Sequence, residues 1–277
     1  MTDPEWRARN RANWDERVAI HVKSRTMYNQ AALRAGTAQP EPLSAAVLGP
    51  MAGQRILHLQ CHFGMDSLGL AQHGAEIVGV DFSRPAIDHA RVLAAELGLT
   101  DRARFVVSDV YETASALPEP ASFDRVFVSW GALCWLPDMP GWAKVVAHFL
   151  KPGGWLALAE AHPAAYVFDS TTKTPDGMPG WFVPYLGREP LIDDRTADYA
   201  DPDPVLKNTR THEWVHPIAD ILTGLIGAGL RLDRFQEHDT VRWPMFDCLV
   251  PDGTGAYRWP DKPWLPLSYS LRASKSA

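Results

Sequence analysis

The chain has 277 residues, 46% hydrophobic and 22% charged, which is ordinary globular composition with length enough for a large core. Lys and Arg total 27 against 33 Asp and Glu, so the net charge is -6 and no basic run offers a nucleic acid a footprint. Cys61, Cys134 and Cys248 lie far apart with no CxxC pair, which points to free thiols in a reducing, cytoplasmic setting and to no zinc cluster. The first residues are too charged for a signal peptide, and no apolar stretch approaches the roughly 20 residues of a membrane span.

Residues 1–49 are expected to form a helical cap: an amphipathic helix carrying Trp6 and Trp14, then HVKSRTMYN. From Arg55 to Ala161, short β-branched runs alternate with helical patterns, the mark of a parallel sheet built from βα units. The strands read as RILHL (55–59), EIVGV (76–80), ARFVVS (103–108), RVFVS (125–129) and WLALAEA (155–161), apolar enough to be covered on both faces. Helical patterns fill Asp66–His73, Pro85–Leu97 and Trp142–Leu150. After Ala161 the rhythm breaks. Residues 163–204 hold 7 of the 23 prolines and residues 240–266 hold 5, so both read as elaborated loops, the first a Pro- and aromatic-rich insertion spanning about 163–215. Between them lie a helix over 216–230, with Pro217 suited to its first turn, and a strand over 230–239. A last strand over 267–274 completes an antiparallel hairpin. The expected fold is α/β: a seven-stranded, mostly parallel sheet with helices on both faces, the cap before it and the rest, 50–277, as one domain.

The chemistry-bearing residues cluster at strand ends, where open α/β sheets bind ligands. HLQCHFGMDS turns straight from the first strand into a helix whose first amides can meet a ligand. The second strand ends in GVDFS, whose Asp81, followed by Phe82 and Ser83, can accept from both hydroxyls of a ribose. Asp109 and Val110 follow the third strand, Ser129 and Trp130 end the fourth, and LKPGG (150–154) precedes the fifth.

Taken together, GVDFS, SDV and LKPGG at these spacings resemble the class I, Rossmann-like S-adenosylmethionine (SAM) dependent methyltransferases. The resemblance covers roughly residues 50–161. It implies SAM as cofactor, a ribose contact at Asp81, adenine contacts at Asp109 and Val110, and methionine contacts along Leu59, Gln60, Cys61, His62 and Gly64. One departure is plain: His58, Gln60 and His62 stand where the family usually has an Asp and two glycines, while Cys61 and Gly64 match. The acceptor is expected to be a small molecule. No NPPY-like stretch follows the fourth strand, and the fifth ends in Glu160, Ala161 and His162 rather than a metal-binding Asp-Asn pair. His162 is a candidate base, Glu160 a candidate to fix its tautomer, and Tyr28 a candidate to close over the cofactor. His212, Trp214 and His216 alternate along one face if extended, which could line a pocket or meet solvent. Glu237 and His238 are open in the same way. A dehydrogenase, a binding protein without turnover and non-methylating SAM chemistry are the competing readings. The first lacks GxGxxG.

Overall fold

The computed structural model describes residues 5–25 and 27–277; Met1–Pro4 and Thr26 of the expected cap lie outside them. Seven strands form the main sheet: β1 (Arg55–Leu59), β2 (Glu76–Asp81), β3 (Ala103–Val107), β4 (Phe123–Ser129), β5 (Leu150–Ala161), β6 (Leu230–His238) and β7 (Ser268–Lys275). The order is β3-β2-β1-β4-β5-β7-β6. β1 pairs parallel with both β2 and β4, β2 with β3 and β4 with β5, whereas β7 runs antiparallel to both β5 and β6. The expected terminal pairing is therefore present, with the later strand on the inside.

Helices α1 (Trp6–His21), α2 (Ala31–Arg34), α3 (Pro42–Leu48), α4 (Met65–Gln72), α5 (Arg84–Glu96), α6 (Thr113–Ala116), α7 (Met139–Phe149) and α8 (Ile218–Gly227) flank it. Two apolar clusters cover the faces. One joins Leu57, Leu59, Val126 and Val128 to Trp142, Val146 and Ile221; the other joins Ile56, Ile77 and Phe127 to Leu68, Ile87 and Leu93. Each strand presents alternate side chains to opposite layers, so both sets must be apolar. Ser83 and Asp138 accept at the amino ends of α5 and α7, with Pro85 and Pro140 in the first turns, which fixes where each helix leaves its strand.

Two expectations are corrected. Residues 163–215 are not loop alone: Phe168–Lys173 pairs with Pro179–Trp181, and Leu191–Asp193 pairs with Thr211–Glu213. The cap helix α1 buries a mainly polar face, Asn10, Asn13, Arg17, Val18 and His21, where an apolar one was expected. It docks by hydrogen bonds. Asn10 exchanges two with the backbone of His212, Asn13 donates to Asn208 O at 2.6 Å, and Glu16 accepts from the amides of Lys207 and Asn208. Cap and insertion thus hold each other above the carboxyl ends of β1 and β2.

Candidate functional site

At the end of β1 the backbone takes a conformation that side chains disfavour. Gln60 and His62 have φ of 57° and 52°, and Trp130, just after β4, has φ of 36°; these are three of the four non-glycine residues at positive φ among the described residues. Left-handed backbone costs an ordinary residue roughly 1–2 kcal/mol, and such strain gathers at functional sites. The turn is held by Cys61 N donating to Val80 O and by Gly64 N donating to Cys61 O, both at 3.0 Å. Gly64 itself has no substitute. Its φ is 80°, and a Cβ there would stand 2.7 Å from Phe105 and 2.9 Å from Ala90. The two replaced glycines have room for side chains, and the retained one has none.

Asp81 closes β2 beneath this turn. Its Oδ2 accepts from His62 N and its Oδ1 from Ser83 N, each at 2.9 Å. Burial, joined by the charge of Asp15 on α1, pushes its pKa up to about 6 against the backbone donors of Ser83, His62 and Phe82. A carboxylate offers about four lone-pair positions, so acceptor capacity remains beyond these donors. Asp109 caps the turn after β3 by accepting from Tyr111 N at 2.9 Å, and its other oxygen meets Arg7 Nε at 3.1 Å. Val110 is buried beside it. Among the described residues, three buried polar atoms along this edge lack a partner: Asp15 Oδ1, Gln60 Oε1 and Trp130 Nε1. Gln60 spends its amide on Ala132 O at 2.9 Å, which anchors the β1 turn to the segment after β4. Ser129, at the end of β4, bonds to the carboxylate of Asp66 in the first turn of α4.

An aromatic cage stands over the turn. Tyr28 stacks on His21 with centroids 4.6 Å apart, meets Phe63 edge-on at 5.3 Å, and hydrogen-bonds the hydroxyl of Tyr199 in the insertion. Burial raises the Tyr28 pKa to about 12. Trp14 meets the rings of His62 and Trp135 edge-on at 5.3 and 5.2 Å. Trp6 meets Trp214 in the same way at 5.5 Å.

The other expected residues divide. Glu160 does not orient His162. Its two oxygens accept from the amides of Gly131, Ala132, Leu133 and Ala161, because the turn after β4 leaves those donors otherwise unpaired. His162 faces the other way along the sheet: its Nδ1 accepts from Ala164 N at 3.1 Å, its Nε2 lies 3.1 Å from Glu237 of β6, and Tyr269 of β7 meets its ring edge-on. Burial lowers its pKa. His212 and Trp214 are buried and His216 Nε2 donates to Leu136 O, in the segment after β4, at 2.6 Å, so that face turns inward. His238 is held by Ser270 at 2.8 Å.

Arg7, Asp15, His21 and Asp198 were missed by the sequence reading. His21 and Asp198 meet at 3.1 Å across 177 positions of chain. The one sequence signal was the polar spacing of Asn10, Asn13, Arg17 and His21 along one face of a helix.

Residues 56–154 match the family model of a methyltransferase domain. Among curated proteins, the chain is 31% identical over 121 residues to the ubiquinone biosynthesis O-methyltransferase of Paracidovorax citrulli, covering 44% of this chain and 49% of that protein. It is 35% identical over 114 residues to the demethylmenaquinone methyltransferase of Clavibacter sepedonicus, covering 41% and 43%. The chain thus spans less than half the length of either relative. A solved S-adenosylmethionine-dependent methyltransferase from Mesorhizobium loti superposes with a TM-score of 0.58 at 21% identity, over 84% of this chain and 96% of that one, which shows the shared fold. The strand order and the strand-end turns already described thus set the segment that matches a methyltransferase-domain model, residues 56–154, in the fold of that solved enzyme.

Proposed function

We propose that the protein is a SAM-dependent methyltransferase that delivers the methyl group to a small-molecule nucleophile. The observation that carries this reading is the state of the β1–β2 edge: a buried acid with unused acceptor sites, orphaned polar atoms and a strained turn, all capped by aromatics. The residues suit the cofactor chemically. SAM carries an ammonium and a sulfonium against a single carboxylate, and Asp15, Asp81 and Asp109 supply negative charge to meet that excess of positive charge. When bound, SAM supplies an electrophilic methyl group.

In this reading Asp81 accepts from the ribose hydroxyls, with Phe82 and Ser83 behind it. Asp109 and Val110 border the adenine, and Leu59, Gln60, Cys61, His62 and Gly64 follow the methionine portion, with Ser129 and Trp130 opposite. Tyr28 closes the aromatic wall and excludes water. Methyl transfer asks mainly for position, since a nucleophile held close to the methyl carbon in the right direction gains most of its rate from that alignment. Glu160 serves by fixing the turn at 131–133, and His162, with Glu237, shapes the far side of the acceptor space. No helix of the described residues is long and apolar enough to cross a membrane; cysteines far apart in sequence suit a cytoplasmic enzyme, and a net charge of -6 suits one acting without a nucleic-acid partner.

Titration calorimetry tests the reading. S-adenosylhomocysteine (SAH) should bind and NADH should not. Charge-assisted hydrogen bonds are worth about 1.5–3 kcal/mol, so Asp81→Ala should weaken SAH at least about tenfold while circular dichroism stays native. NADH binding in place of SAH, or equal SAH affinity in the variant, would remove the proposal.

A further inference from the structure

We propose that Asp198, His21 and His62 form a proton relay in which Nδ1 of His62 is the base that takes the proton of a hydroxyl-bearing methyl acceptor. The proposal rests on the methyl-transfer reading and adds to it the route by which the acceptor becomes a nucleophile.

The three groups come from three separate parts of the chain. Asp198 lies in the insertion, His21 ends α1, and His62 stands in the β1 turn. Both oxygens of Asp198 lie 3.1 Å from His21 Nε2, and His21 Nδ1 lies 2.8 Å from His62 Nε2. Asp198 and His21 are buried, with no side-chain exposure on either. Burial works against ionisation of Asp198, but the hydrogen bond from His21 and the Arg17 guanidinium at 2.9 Å hold its carboxyl below the usual range. Asp198 is therefore an anion, and an anion only accepts.

In the resting relay the His21 ring is neutral: it carries hydrogen on Nε2, toward Asp198, and its Nδ1 is the acceptor. His62 must then carry hydrogen on Nε2, which leaves Nδ1 with a bare lone pair. Burial keeps the His62 ring neutral. Among the described residues, Nδ1 of His62 has no hydrogen-bond partner, and it is not among the sealed atoms that lack one; the residue is half-buried, so this atom is left open to a ligand. His62 donates its own backbone N–H to Asp81, which places the ring beside the proposed ribose site.

The proton step balances. The acceptor O–H bond breaks, its electron pair stays on oxygen, and a new N–H bond forms at His62 Nδ1. The Nε2–H bond of His62 breaks as an N–H bond forms at His21 Nδ1, so the positive charge comes to rest on His21 against Asp198. Trp14, Tyr28, Phe63 and Tyr199 surround the two rings, so water does not compete for the proton along this path. Among the described residues no group of three such side chains converges as metal ligands would, and a relay needs them in line rather than converging.

The test uses the intact protein, with SAH as probe. Long-range nitrogen spectra of histidine-labelled protein should show His62 with hydrogen on Nε2 and an unprotonated Nδ1, and His21 likewise. Carbethoxylation by diethyl pyrocarbonate, read by peptide mass spectrometry, should modify His62 and be slowed at least tenfold by saturating SAH. Asp198→Asn should keep SAH affinity within twofold yet slow modification of unprotected His62 several-fold, because the variant no longer stabilises the charge. His62 with hydrogen on Nδ1, no protection by bound SAH, or an unchanged rate in Asp198→Asn would overturn the relay and leave the methyl-transfer reading standing. Failure of SAH to bind at all would overturn both.

Discussion

Asp81 is held as an acid whose proton is within reach of ordinary buffers, and this gives the site a pH signature. With its pKa at about 6, a ligand that needs the carboxylate must displace a proton whenever the pH is lower. SAH affinity should fall about tenfold for each pH unit below about 6, and Asp81→Asn should bind weakly with no such slope. Calorimetry in buffers of different ionisation enthalpy measures both quantities. Backbone strain supplies a second prediction. Ala121 is exposed, with φ of 49°, so Ala121→Gly should stabilise the protein by up to about 1 kcal/mol in urea unfolding. Gly64→Ala should do the reverse by about 2–5 kcal/mol, since it meets both the φ penalty and the rings of the core.

At the scale of elements, the apolar strand runs announced themselves: β1 and the carboxyl ends of β4 and β5 lie where the sequence placed them, because a strand covered on both faces has to be continuously apolar. Asp81, Asp109 and Gly64 were legible for a related reason, since each sits in a turn whose conformation or cap requires that residue type. The docking of α1 was not legible. An amphipathic pattern reports burial of apolar surface, whereas α1 is buried through Asn10, Asn13, Arg17 and His21, whose partners lie far away in sequence and follow no period. Nor did adjacency in sequence reveal direction: Glu160 and His162 stand two apart on β5, yet one turns to the amides after β4 and the other to Glu237 on β6. If cap and insertion close together over the cofactor, deuterium exchange with SAH should show protection in α1 and in residues 191–213 as well as at the β1 turn. Identical exchange in α1 with and without SAH would make the cap a static support.

For the molecule as a whole, two buried groups set opposing responses to acid. Burial takes His58 from its ordinary 6.5 to about 3, so the folded state refuses a proton that the unfolded chain accepts. That stability is complete above about pH 6.5 and is lost as the pH falls toward 3, by about 2 kcal/mol between pH 7 and pH 5. Asp81 has the opposite sign. Its raised pKa penalises the folded state above about 6 and returns about 1 kcal/mol over the same interval. Urea unfolding at the two pH values should therefore show Asp81→Asn more acid-labile than the parent by about 1 kcal/mol. His58→Asn should be more acid-resistant by about 2 kcal/mol.

The placement of β7 between β5 and β6 also dictates an order of events on the ribosome. β6 emerges before the strand that joins it to the sheet, and at about 5–20 residues per second the 37 positions from His238 to Lys275 take roughly 2–7 s to translate. Through that interval five parallel strands can already be assembled, while β5 shows an open edge and β6 has nothing to pair with. A nascent chain stalled before Ser268 should thus be cut by protease in the β6 region while β1 to β4 resist, and that open edge is where a chaperone, or a second unfinished copy, would find its grip.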